Sequence, residues 1–148
     1  MTTIIGPDFL ALQVRDLKAS ADFYEKVFGF EAEAQSPPGA VVFKTRPIAL
    51  ALRTPLRPLP APGSLGVGMS LWIACEDADD LHEQIAGRGG VILNPPSDGP
   101  FGRFFVAGDP DGYGHYVPHR PYLSPLQPVR SNRMRQQKAR SFERAFCI

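Results

Sequence analysis

Asp109-Pro110-Asp111-Gly112-Tyr113 is a turn sequence set between two β-prone runs, and it decides how the C-terminal half of the chain folds. Pro110 fixes φ near the value that the second position of a turn requires, and Gly112 tolerates a positive φ. Phe104 to Val106 precede the turn, and Tyr113 to Val117 follow it. The pattern predicts two neighbouring antiparallel strands joined by a short connection.

A second motif lies near the N-terminus, where Val14-Arg15-Asp16-Leu17 leads into Ser20-Ala21-Asp22-Phe23-Tyr24 and then Gly29-Phe30. The aspartate of the first stretch is a good helix N-cap, and the apolar spacing predicts a helix from Leu17 to about Phe28. Together with the late Asp-Pro-Asp-Gly turn, this order of motifs resembles the vicinal oxygen chelate superfamily. That superfamily includes glyoxalase I, the extradiol dioxygenases and the bleomycin-binding proteins. The resemblance covers about residues 7–120.

The chain divides into two halves of the same predicted order, βαβββ. The modules cover about residues 7–53 and 67–119, and the proline-rich segment 54–66 links them. The resemblance implies an α+β fold in which the paired βαβββ modules form an incomplete barrel around a concave cup. One domain of residues 1–120 is expected, followed by a proline-containing basic C-terminal tail at 121–148. The predicted strands are Phe9–Val14, Phe30–Ala34, Ala40–Lys44 and Ile48–Arg53, then Met69–Cys75, Val91–Leu93, Phe104–Ala107 and Tyr116–Val117.

The composition suits one compact domain, because 43% of the 148 residues are apolar and the formal net charge is only +1. Neither a nucleic-acid partner nor a membrane partner is predicted from this balance. The positive charge is concentrated beyond residue 129, and the rest of the chain is net acidic. Cys75 and Cys147 show no disulfide or zinc spacing, and no secretion signal precedes the domain. A reduced, cytoplasmic location is therefore expected.

The resemblance also implies where a metal site would lie. Metal-dependent members of the superfamily place histidine on the first strand of each module and glutamate on the last, since these side chains suit a divalent cation. Counted from the local motifs, the corresponding residues here are Phe9, Ser70 and Tyr116, and the fourth position falls near Ala49 or Ala51. We therefore predict no metal, no other cofactor and no catalytic residue, although a shifted site using histidines is a minor alternative.

Strand alternation predicts instead an aromatic pocket in the cup. Trp72 lies on the same strand face as Ser70, and the first module contributes either Val42 or Phe43 from its middle strand. Such pockets bind flat or amphipathic molecules through burial and stacking. The alternative is that these aromatic side chains simply fill the barrel. The predicted ligand-binding residues are Phe9, Gln13, Phe43, Ser70, Trp72, Phe101, Arg103 and Tyr116.

The resemblance favours a metal-free binding protein similar to the bleomycin-binding proteins, which would sequester an aromatic or amphipathic natural product or drug. The alternative is a lyase, isomerase or dioxygenase of the same superfamily with an altered metal site. A third possibility is a protein-interaction module that uses the basic tail. The resemblance further implies a homodimer whose pockets lie at the junction of two chains, with the segment 54–66 near that junction.

Overall fold

The computed structural model describes residues 3–99 and 102–120. Within these residues the chain forms two helices and seven strands, arranged in two sheets. The predicted tail at 121–148 lies outside the described residues. The elements in chain order are β1 (Phe9–Gln13), α1 (Leu17–Lys26), β2 (Ala40–Phe43), β3 (Ala49–Arg53), β4 (Leu71–Trp72), α2 (Ala78–Gly87), β5 (Val91–Gly99), β6 (Gly102–Gly108) and β7 (Gly114–Pro118).

The two sheets repeat one topology. The first sheet has the order β1-β3-β2, and the second has the order β4-β7-β6-β5. In each sheet the first strand of the module pairs in parallel with the last, and the remaining described pairs are antiparallel. The α+β fold with two related modules is therefore confirmed, and the sheets do not close into a barrel.

The first helix begins at Leu17, as the sequence predicts, and an aspartate precedes each of the two helices. The Asp16 side chain accepts a hydrogen bond from the Ala19 amide, and the Asp77 side chain accepts from the amides of Asp79 and Asp80. These contacts satisfy amides that have no partner within the helix. The first helix ends at Lys26, two residues earlier than expected. No helix in the described part of the chain is long and apolar enough to cross a membrane.

Three strand predictions differ from the structure. The expected strand at 30–34 is reduced to an isolated bridge between Ala32 and Phe43. The strand expected at 69–75 contains only Leu71 and Trp72. The strand expected at 91–93 extends to Gly99, through two prolines. It lies at the edge of its sheet and carries register irregularities, and an edge strand tolerates proline because one of its sides donates no ladder hydrogen bonds.

One continuous core joins the two modules. It combines side chains from the first sheet, such as Leu12 and Leu52, with Phe105 and Val117 from the second. Tyr24 lies between the sheets: its ring stacks on Phe43 and meets a histidine of β7 edge to face. Tyr24 of α1 therefore contributes to the contact between the two modules.

The Asp-Pro-Asp-Gly turn anchors the second module to the first. Asp109 accepts hydrogen bonds from the amides of Asp111 and Tyr113 within the turn, and its other oxygen accepts from the Tyr24 hydroxyl at 2.8 Å. Asp111 accepts from the Ser20 hydroxyl and pairs with Arg15 at 2.9 Å. The two motifs that marked the fold in the sequence are therefore in direct contact.

Candidate functional site

Aromatic side chains cover the exposed face of the second sheet. The parallel register sets Trp72 beside Tyr116, and their rings stack with centroids 4.7 Å apart at an interplanar angle of 18°. Phe104 lies 5.8 Å from Trp72 and 6.2 Å from Tyr116. All three side chains are partly buried, so they present ring surface that another molecule can contact.

A cleft of about 800 Å³ lies between the two modules, next to this aromatic face. Trp72 belongs to both, because its ring stacks on Tyr116 and also lines the cleft. This volume falls within the range of pockets that hold drug-sized ligands, about 300–1,000 Å³. The apolar part of the lining comes from both modules and includes Leu10, Phe30, Pro47, Ile48, Leu50, Leu71, Ile73, Ala74 and Pro118.

The charged part of the lining is mostly basic. Lys44, Arg46 and Arg120 border the cleft, and Glu31 is the acidic side chain among its lining residues. Glu31 forms an ion pair with Lys44, and the hydrogen bond in that pair raises the pKa of Lys44. The two arginines are solvent-exposed. The cleft therefore combines an apolar interior with a positively charged rim.

The residues at the superfamily's metal positions do not suit a metal. Phe9 is 52% exposed and offers no donor atom, Ser70 is exposed, and Tyr116 is stacked against the tryptophan. Within residues 3–99 and 102–120, no group of three histidine, cysteine, aspartate or glutamate side chains is arranged to hold an ion. One serine and one phenol are poor ligands for a divalent cation, so the side chains at these positions do not fit a metal.

A buried polar group with catalytic residue types lies elsewhere. His115 Nε2 is 2.7 Å from the Tyr24 hydroxyl, which donates its proton to Asp109. Burial opposes ionisation of Asp109, but His115 and Tyr24 outweigh it and lower the pKa of this carboxyl. Burial and the adjacent Asp109 raise the pKa of Tyr24 far above its ordinary value. Since His115 is 1% exposed and Tyr24 is fully buried, these groups lie in the contact between the modules and away from solvent.

The structure brings together only some of the predicted ligand-binding residues. Trp72 and Tyr116 are in contact, with Ser70 two positions before the tryptophan. Phe9 and Gln13 lie on the first sheet, where the Gln13 side-chain oxygen accepts a hydrogen bond from the Leu56 amide. Neither lines the cleft of this single chain.

Neither Phe43 nor Arg103 lines the cleft. The Phe43 side chain is fully buried against Tyr24, and Val42 takes the opposite strand face. The Arg103 guanidinium turns to the second helix and binds Asp79 at 2.8 Å. Phe101 lies outside the described residues.

Sequence reasoning missed Phe104 and the basic rim. The hairpin register pairs Gly108 with Gly114 and Phe104 with Pro118, which places Phe104 on the same face as Tyr116. Counting residue pairs outward from the predicted turn would have placed Phe104 on this face. No sequence signal brings Arg46 and Arg120 to one cleft, because they belong to different modules.

These features agree with the comparison to known proteins. The sequence model of the Glyoxalase/Bleomycin resistance protein/Dioxygenase superfamily matches residues 6–114, and the chain belongs to this superfamily. It is 33% identical over 121 residues to the anthracycline biosynthesis protein DnrV of Streptomyces peucetius, and equally to DauV of Streptomyces sp. (strain C5). These matches cover 72% of the chain but only 44% of either relative, so the chain spans less than half of their length.

Solved structures show the same fold. TnmS3, described as an antibiotic-binding protein from Streptomyces sp. CB03234, is 25% identical with a TM-score of 0.65, over 80% of this chain and 98% of that one. A glyoxalase-related enzyme from Fulvimarina pelagi is 22% identical with a TM-score of 0.64, over 86% of this chain and 99% of that one. The fold therefore occurs both in a protein described as binding an antibiotic and in one described as an enzyme.

Proposed function

We propose that this protein binds a flat aromatic small molecule, such as a polycyclic natural product or drug, and sequesters it without changing it chemically. The observation that carries the proposal is the stacked pair of Trp72 and Tyr116 beside a cleft of about 800 Å³. The names of the relatives support it, because they include anthracycline biosynthesis proteins and an antibiotic-binding protein.

The physical basis is burial and stacking. A planar ligand laid against Trp72 gains ring contact on one side and apolar contact with the cleft lining on the other. Each well-placed aromatic pair contributes about 0.5–1.5 kcal/mol beyond the burial of its area. Burial itself adds about 25 cal/mol for each Å² of apolar surface removed from water. These terms favour flat apolar rings over flexible polar ligands.

The chemistry of the accessible side chains favours capture over catalysis. Metal-dependent chemistry in this superfamily needs ligands at positions that hold Phe9, Ser70 and Tyr116 in this chain. The histidine with the most developed hydrogen-bond network, His115, is buried and bonded to Tyr24, so it cannot reach a ligand in the cleft.

We also propose that the protein acts as a homodimer with its pockets at the subunit junction. Besides Val91 and Leu93, large apolar side chains are exposed within residues 4–9 and 56–69. The second stretch is held at the end of β1, because the Leu56 amide and the Pro60 carbonyl bond to Gln13 and Arg15. Monomeric proteins seldom expose large contiguous apolar surface, and a second copy would cover exposed side chains such as Leu56. Sedimentation at micromolar concentration should give twice the chain mass; a monomer would contradict the dimer.

The binding proposal is tested by titrating the protein with 9,10-anthraquinone while following the emission of Trp72, the only tryptophan in the chain. Saturable quenching at one ligand per chain is expected. Mass spectrometry should recover the anthraquinone unaltered, whereas a product of altered mass would favour the enzyme alternative.

Calorimetry then measures how much the Trp72 side chain contributes to the affinity for anthraquinone. Trp72→Ala should weaken binding at least about tenfold, which corresponds to 1.4 kcal/mol. Val91→Ala is the matched control, because it removes apolar surface from a residue that is 56% exposed and lies away from the cleft. Equal affinities for the wild type and Trp72→Ala would show that the aromatic face is not the site.

A further inference from the structure

We infer that the cleft selects aromatic ligands that carry a negatively charged group, such as a carboxylate or an ionised phenol. This inference rests on the proposed function and narrows its ligand class. The observation behind it is an uncompensated positive charge on the rim of an otherwise apolar cleft.

The ionised side chains that line the cleft give a net charge of +2. Lys44 and Glu31 neutralise each other in an ion pair. Arg46 and Arg120 remain, and neither forms an ion pair with any residue in the described ranges 3–99 and 102–120, where the ion pairs of arginine involve Arg15 and Arg103. Two guanidinium groups are therefore available to a ligand.

The fold places these two arginines on opposite modules. Arg46 lies between β2 and β3 of the first sheet. Arg120 follows β7 of the second sheet, and its backbone amide donates to the Cys75 carbonyl, which fixes the start of its side chain. Both border the same cleft and both are exposed, so they stand at its mouth and not in its interior.

The arrangement matches a ligand with a flat apolar body and an anionic edge. The body would lie against Trp72 and the leucines of the interior, while the charged group remains at the mouth near the guanidinium groups. Arginine binds carboxylates through two parallel N–H···O bonds, which fixes the orientation of the ligand as well as adding affinity. A cationic edge would instead face two like charges.

The test compares two probes that differ only in charge, anthraquinone-2-carboxylate and anthraquinone-2-carboxamide. Calorimetry on the full chain should show the carboxylate binding at least about tenfold more tightly at low salt, and the ratio should shrink as salt screens the exposed arginines. In the double variant Arg46→Gln, Arg120→Gln the ratio should fall to about one. The carboxamide affinity should be unchanged, which also shows that the variant is folded.

The matched control is the double variant Lys18→Gln, Lys26→Gln. It also removes two positive charges, from exposed side chains of α1 that lie outside the cleft. It should keep the full preference for the carboxylate. Equal binding of the two probes to the wild type, or a preference that survives in the double arginine variant, would overturn the inference and leave the proposed function standing. Failure of both probes to bind would overturn the two together.

Discussion

Tyr24→Phe removes one oxygen atom from the contact between the two modules. The Tyr24 hydroxyl donates to Asp109 at 2.8 Å and lies 2.7 Å from His115 Nε2. Because its single proton goes to the carboxylate, Nε2 must carry a proton and donate to the hydroxyl oxygen. The Nδ1 atom of His115 is buried and has no hydrogen-bond partner among the described residues. The substitution therefore removes the hydrogen-bond partner of the His115 imidazole, and the nearest remaining polar group is the Asp109 carboxylate, 3.7 Å from Nε2.

The expected loss follows from these contacts. A hydrogen bond to a charged group contributes about 1.5–3 kcal/mol, and a buried donor left unpaired costs about 1–3 kcal/mol. The phenylalanine ring keeps the stacking on Phe43, so no cavity larger than the oxygen forms. The free energy of unfolding should fall by roughly 2–4 kcal/mol, a large part of the 5–15 kcal/mol typical of a domain. The melting temperature should fall by roughly 10 °C.

Urea denaturation at pH 7 measures this loss, and Tyr116→Phe is the control. It is the same chemical change, made at a partly exposed tyrosine whose hydroxyl makes no hydrogen bond within residues 3–99 and 102–120. Its unfolding free energy should stay within about 0.5 kcal/mol of the wild type. If both variants lost the same stability, or if Tyr24→Phe lost none, the buried network would not be what joins the modules.

Three further outcomes are expected. Asp109 has a pKa lowered from 3.8, so its ionised form stabilises the fold above about pH 4 and that contribution is lost as the pH falls through the folded-state value; by urea denaturation the stability lost in Asp109→Asn should therefore be greatest at pH 7 and should shrink progressively as the pH falls below about 4. Arg103→Gln should leave the melting temperature and the anthraquinone affinity unchanged, since its pair with Asp79 is exposed and remote from the cleft; a loss of affinity would return Arg103 to the site. Removing residues 130–148 should change neither the melting temperature nor the affinity, and a large fall in either would show that the tail packs on the domain.

Part of the candidate site was predictable because it depends on local pattern. Tyr116 follows from its distance to the Asp-Pro-Asp-Gly turn, and Trp72 follows from strand alternation with Ser70. The side chains at the metal positions were identified by the same counting.

The orientation of Phe43 and Arg103 was not predictable, because it depends on a one-residue choice of strand face or on a contact with a residue distant in the chain. Strand alternation did not decide whether Val42 or Phe43 faces the cup, because neighbouring residues of a strand point to opposite faces of the sheet. Phe43 turns inward because Tyr24, from the helix, offers it a stacking partner. Arg103 turns away from the cup because its guanidinium binds Asp79 on the second helix, which lies 24 residues earlier in the chain.

The sequence by itself determined the helix caps, the turn, the order of the modules and the absence of metal-binding residue types at the superfamily positions. These depend on backbone preferences and side-chain chemistry within a few residues. Only the tertiary structure decided that Asp109 and Asp111 bind the first helix, and that Arg46 and Arg120 meet at one cleft. Such pairings join residues some 70 to 90 positions apart, and their geometry exists only after the two sheets have packed around a shared core.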